Sequence, residues 1–163
     1  MGAHAGHLAA SSLKEAAPSP PPLKASFAPV YRTDARLLVL GSLPGDASLA
    51  AARYYAHPHN QFWRLMGAVI DAPLAELAYA ARLERLQSAG VALWDVVAEA
   101  ERRGSLDTAI RNVAANDLHA LIARLPRLKA IAFNGQRAAA LGARVLGKDR
   151  RLPTFTLPSS SPA

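Results

Sequence analysis

Leu37-Leu38-Val39-Leu40-Gly41-Ser42-Leu43-Pro44-Gly45-Asp46 is the stretch on which the fold turns. Its first four residues are an unbroken apolar run that Gly41 stops, the mark of a strand covered on both faces. Two glycines and a proline then let the backbone turn sharply and come close to a ligand. Working outward, Val91-Ala92-Leu93-Trp94-Asp95-Val96-Val97, Leu128 to Phe133 and Thr154-Phe155-Thr156-Leu157 read as further strands. Between them, Ala75 to Ser88, Leu118 to Leu125 and Gln136 to Leu146 have helical spacing. Asn116-Asp117 supplies an N-cap for the second of these helices, and Pro126 ends it. Strand and helix in alternation predict an α/β fold whose parallel sheet carries helices on both faces. Such sheets bind ligands beyond the carboxyl ends of their strands. There the sequence places Gly41 to Gly45, Asp95, Asn134-Gly135 and Pro158-Ser159-Ser160-Ser161-Pro162.

Composition narrows the classes. The chain has 163 residues, 51% of them hydrophobic and 19% charged, which suits one domain with a buried core. No window has the run of about 18 apolar residues that a membrane span needs, so no membrane partner is expected. Cysteine is absent, which excludes disulfides, iron–sulfur clusters, thiolate zinc sites and a cysteine nucleophile. Lys and Arg total 19 against 12 Asp and Glu, a formal net charge of +7. That balance either favours a polyanion such as nucleic acid or does no more than keep the chain soluble. Residues 1–25, rich in Ala, Ser and Pro and without Arg, read as a disordered extension.

Three segments could carry chemistry. The Gly41–Gly45 turn lacks the Gly-Lys-Ser/Thr of a phosphate loop and has the wrong glycine spacing for a dinucleotide fingerprint. Tyr54-Tyr55-Ala56-His57-Pro58-His59-Asn60-Gln61-Phe62-Trp63 holds four aromatics in a chain that is 6% aromatic. Aromatic faces stack on nucleobases, and an Asn amide can read a base edge or hold a water. Asn60 and Phe62 are therefore the candidates in this segment, while Trp63 reads as core, opening a helix through Met66 and Ile70. His57 and His59 flank Pro58 without an acidic or third imidazole ligand nearby, so no metal is expected. Short hydroxyls between Pro158 and Pro162 suit a stiff loop against phosphate. Asp95, inside an apolar run, needs a partner; it either reads a base edge or caps the next segment.

Leu40-Gly41-Ser42-Leu43-Pro44-Gly45, Tyr54 to Trp63, Gly90-Val91-Ala92-Leu93-Trp94-Asp95-Val96, Asn116-Asp117, Phe133-Asn134-Gly135 and Leu157 to Pro162 together resemble, in that order, the hypoxanthine-DNA glycosylase branch of the uracil-DNA glycosylase superfamily. The resemblance runs from about Ser26 to the last residue. It implies a three-layer α/β/α sandwich around a small, mostly parallel four-stranded sheet. It also implies a monofunctional enzyme, without metal or other cofactor, that hydrolyses the N-glycosidic bond of a deaminated base to begin base excision repair. On this resemblance Asn60 is the catalytic amide and Phe62 the ring on which the base stacks. Asp46 is the second candidate for activating water. Gly41, Ser42, Asp95 and Asn134 would face the base. Pro44, Gly45, Pro158, Ser159, Ser160 and Ser161 would hold the DNA backbone.

The family continues into a further helix where this chain stops at Ala163, so a domain spanning 26–163 and shortened at its C-terminus is expected. The expected partner is single- or double-stranded DNA containing hypoxanthine or uracil, met by a monomer in a bacterial-type cytoplasm. Two other functions are compatible with the same fold. A nucleic-acid-binding module without catalysis would shift lesion DNA but not open it, and a small-molecule hydrolase would be indifferent to DNA and salt.

Overall fold

The computed structural model describes residues 19–148 and 151–162. In chain order the elements are β1 (Leu23–Ala25), β2 (Leu37–Gly41), α1 (Asp46–Ala51), α2 (Phe62–Ile70), α3 (Tyr79–Ser88), β3 (Val91–Asp95), β4 (Val97–Glu101), β5 (Arg111–Ala115), α4 (Leu118–Ala123), β6 (Ala130–Asn134), α5 (Gln136–Leu146) and β7 (Thr154–Leu157). Four strands form a parallel sheet in the order β3-β2-β6-β7. The other three form an antiparallel sheet in the order β1-β4-β5.

Alternation along β2 makes the three layers. Leu38 and Leu40 point to one face, where they join Ile131, Phe133, Leu118, Leu121 and Leu141 beneath α4 and α5. Val39 points to the other, where it joins Leu93, Phe62, Trp63, Met66 and Leu86 beneath α2 and α3. Both faces of the strand are thus buried, as its continuous apolar run requires. Gly142 lets α5 lie against the sheet, because a Cβ there would run into the Phe133 ring. This α/β/α sandwich agrees with the fold class expected from the sequence.

The apolar run from Val91 to Val97 is not one strand. β3 ends at Asp95 and, after Val96 alone, β4 starts the second sheet. The Asn116 amide explains the break: its Nδ2 donates to the carbonyls of Asp95 (2.8 Å) and Val97 (3.2 Å), bridging the joint. Asn116 is thus a brace, while Asp117 alone caps α4, its Oδ1 accepting from the Ala120 N–H at 3.0 Å. The helix expected from Ala75 begins at Tyr79 instead. Arg82 donates to the carbonyls of Leu77 (2.8 Å) and Ala75 (2.9 Å), satisfying them outside a helix and leaving a 3-10 turn at Leu74–Glu76. Of the extension expected over residues 1–25, 1–18 lie outside the described residues. Leu23–Ala25 belongs to the fold, pairing with Glu99–Glu101 of β4. Lys24 anchors it through an ion pair with Asp46 at 2.5 Å.

Candidate active site

The carboxyl ends of the parallel strands bring Asp95, Gly41, Asn134 and Leu157 into one row, since Gly41 is in register with Asp95 and Asn134 with Leu157. Above that row lies a cavity of about 350 Å³. Gly41, Ser42, Pro44, Gly45, Asp46, Asn60, Asp95, Asn134, Ser159, Ser160 and Ser161 all line it, so most of the expected site residues meet. Phe62 and Pro158 are not part of its wall.

Hydrogen bonds between distant segments fix this geometry. The Asn134 amide grips Ser160 twice: Nδ2 donates to Oγ at 2.9 Å, and Oδ1 accepts from the Ser160 N–H at 3.0 Å. The Ser160 carbonyl in turn accepts from the Gln61 N–H at 3.1 Å. Asn134, expected to face the base, thus positions the serine loop with one hydrogen and one lone pair of its amide, keeping a second of each. Gly135, at φ 109°, permits the close passage of Ser159, whose Cβ would lie 3.3 Å from a side chain there. Asn60 is tethered as well: its Oδ1 accepts from the Phe62 N–H at 3.0 Å, at the start of α2. Because a backbone N–H only donates, that contact fixes which end of the amide is the oxygen.

The glycine turn is held from behind. Arg102, buried at 0% exposure, donates to the carbonyls of Pro44 (2.5 Å), Gly104 (2.8 Å) and Leu43 (3.4 Å). It draws the turn's carbonyl oxygens inward, where a phosphate would not meet them. Burial lowers the Arg102 pKa, while Asp46, Asp107 and Asp95 oppose that fall. Ser42 Oγ donates to Asp107 at 2.6 Å, so its hydroxyl hydrogen is already used. Asp46 is paired with Lys24, and its N–H donates to Ser105 Oγ at 2.9 Å, which makes it a rim residue rather than a free carboxylate.

Asp95 forms the floor. A Cβ on Gly41 would sit 2.6 Å from Asp95 Oδ1, so only glycine leaves the carboxyl its place. Asp95 Oδ2 is buried without a hydrogen bond. Burial, reinforced by the Asp107 charge and opposed by Arg102, pushes this carboxyl up from 3.8 to about 7. Tyr55 stands beside it. Its ring stacks on Phe62 at 3.8 Å between centroids and 18° between planes, and its residue lines the cavity. Its buried hydroxyl makes no hydrogen bond; Asn134 is near enough to temper, but not to cancel, the upward pKa shift that burial causes.

Sequence reasoning missed Arg102, Asp107, Ser105, Lys24 and Tyr55. Arg102 lies in Glu101-Arg102-Arg103, which reads as a solvated charge run. Only Tyr55 carried a signal, inside the aromatic segment, where Phe62 drew the attention.

A family model described as "Uracil DNA glycosylase superfamily" matches residues 28–163. A protein of Methanosarcina barkeri named Hypoxanthine DNA glycosylase is 41% identical over 115 residues, 71% of this chain and 73% of the relative. One of the same name from Methanosarcina acetivorans is 38% identical over 141 residues, 86% of this chain and 88% of the relative. A solution NMR structure of a candidate uracil DNA glycosylase from Methanosarcina acetivorans superposes with a TM-score of 0.75 at 38% identity, covering 85% of both chains. The curated relatives are archaeal, and nothing among them supports the bacterial setting expected from the sequence.

Proposed function

The chain belongs to the uracil DNA glycosylase superfamily, and from that premise we propose that it removes hypoxanthine from DNA by hydrolysing the N-glycosidic bond. One observation carries this reading: the Asn60 amide, the serine loop and the glycine turn converge on a single cavity at the carboxyl rim of the sheet. A monomer is the proposed active form.

A base stacked in a duplex is out of reach, so the nucleotide must first rotate outward at a cost of a few kcal/mol. A deaminated base pairs poorly and lowers that cost. The glycine turn and Ser159–Ser161 take the flanking phosphates, with Pro44 and Pro158 stiffening them. Asn60 holds the attacking water. Its Oδ1, already fixed by the Phe62 N–H, has a second lone pair for a water hydrogen, and a neutral amide does this without burying a charge. Water adds to the anomeric carbon as the carbon–nitrogen bond breaks. The electron pair leaves with the base, which takes up the proton that the water loses. Asp95 and the remaining amide capacity of Asn134 face the departing base, where hydrogen bonds aimed at its growing negative charge lower the barrier.

The test is a duplex carrying one deoxyinosine, incubated with the protein and then treated with alkali, beside matched uracil and undamaged controls. Scission at the inosine supports the reading. A mobility shift without scission makes the protein a binder and overturns it.

A further inference from the structure

We infer that Lys24, on strand β1, is a positioning residue for DNA: acting through Asp46, it cancels the negative charge that the cavity rim would otherwise turn toward phosphate. The inference rests on the glycosylase reading above. It adds a part to that site from outside the family match, since β1 (Leu23–Ala25) lies upstream of residues 28–163.

The cavity poses an electrostatic problem. Asp46, Asp95 and Asp107 line it, and among the described residues no Lys or Arg does. The chain's net charge of +7 does not solve this, because charges beyond a Debye length of about 10 Å are screened. Asp95 is sunk in the floor at 3% exposure, and Asp107 accepts from Ser42 Oγ at 2.6 Å. Asp46 is different. Its side chain is 54% exposed, and it follows Gly45 in the turn proposed to take a flanking phosphate. A bare carboxylate there would repel that phosphate.

Lys24 answers from behind the turn. Its Nζ donates to Asp46 Oδ1 at 2.5 Å and to the Gly104 carbonyl at 2.6 Å. Only 10% of its side chain is exposed, so the ammonium is committed to these partners rather than offered to DNA. Arg102 Nη2 lies 4.0 Å from the same Asp46 oxygen and also feels the Asp107 charge. Two cations, Lys24 and Arg102, thus face two rim carboxylates, Asp46 and Asp107. Without Lys24 the balance is one negative charge on the wall that DNA must meet. Strand β1 fixes the placement: Lys24 is in register with Ala100 of β4. On either side, the Arg102 N–H donates to the Pro22 carbonyl at 3.1 Å and the Ser26 N–H to the Ala98 carbonyl at 2.8 Å.

The experiment is single-turnover excision from a deoxyinosine duplex over a range of protein concentrations, with thermal melting of each variant. It separates the half-saturating concentration from the maximal rate. Lys24→Met should raise the half-saturating concentration roughly threefold to tenfold at about 50 mM salt, and less at about 200 mM, where screening is stronger. Its maximal rate should move by less than about twofold. Lys24→Arg keeps the charge and should stay within about twofold of wild type in both quantities. The double variant Lys24→Met/Asp46→Asn removes both charges and should bring the half-saturating concentration back toward wild type, which loss of a merely structural bridge would not do. It also leaves no unpaired charge, which keeps the test alive if Lys24→Met does not fold. An unchanged half-saturating concentration in Lys24→Met, a rise as large in the double variant as in the single, or a fall confined to the maximal rate would overturn the inference. Release of no base by the wild-type protein would instead defeat the glycosylase reading beneath it, and the same comparison then runs on fluorescence-anisotropy titrations with an undamaged duplex.

Discussion

Asp95→Asn should stabilise the protein at pH 8 and change little at pH 4. In the fold the Asp95 carboxyl titrates at about 7, against 3.8 for the same group in a flexible chain. The folded state therefore holds its proton more tightly than the unfolded state, and stability falls as pH rises from about 4 to about 7. Below that window both states are protonated and the carboxyl imposes no charge penalty. Above it, at about 1.4 kcal/mol per pKa unit, the buried anion costs on the order of 4 kcal/mol. Asparagine has the same shape and no charge, so the variant should recover up to about that much at pH 8. The groups facing the carboxyl are Asp107, which raises its pKa, and Arg102, which lowers it; neither is altered by the substitution. Urea denaturation at pH 4.5, 6 and 8 reads the difference directly, since urea adds no ions to screen it. A gap between the two proteins that stays constant across these pH values would show that Asp95 is ionised throughout and refute the reasoning.

Other expectations follow from the site. Asn60→Ala should lower single-turnover excision by about tenfold or more while the circular dichroism spectrum is retained, because the water loses its acceptor; near-wild-type excision would remove Asn60 from catalysis. The same variant loses the acceptor for the Phe62 N–H, so a destabilisation of about 1 kcal/mol in chemical denaturation is expected. Arg102→Met should cost roughly 3–5 kcal/mol in the same assay, since it removes a fully buried cation with its hydrogen bonds to three carbonyls; a loss below about 1 kcal/mol would mean the glycine turn stands without it. Gly142→Ala should cost about 1–3 kcal/mol in stability with excision unchanged per folded molecule, as the new methyl displaces the Phe133 ring.

The parallel sheet was legible because its strands announce themselves. Leu37–Leu40 is an apolar run cut by Gly41, and Thr154–Leu157 alternates Thr with Phe and Leu before Pro158; local punctuation of that kind survives folding. Helix α5 was legible to the residue, Gln136–Leu146, for the same reason. The second sheet was not. β5 is exposed along its whole length, and β4 follows β3 with only Val96 between, so no change of period marks the joint. What breaks the run is the Asn116 side chain, 19 and 21 positions away from the carbonyls it takes, and no window of neighbouring residues contains that information. At the site the same division holds. Residue types that bear chemistry, such as Asn60, stand out in the sequence. Supports such as Lys24, Arg102 and Asp107 look like ordinary surface charges until the chain is folded. Tyr55 and Phe62 differ only in which covers the other, a matter of packing order that spelling cannot convey.

The single residue between β3 and β4 has a mechanical outcome. Asp95 ends β3 on the cavity floor, and Arg102, the residue after β4, stands behind the glycine turn. Because Arg102 bonds the Leu43 and Pro44 carbonyls, a displacement of that turn is felt at the end of β4.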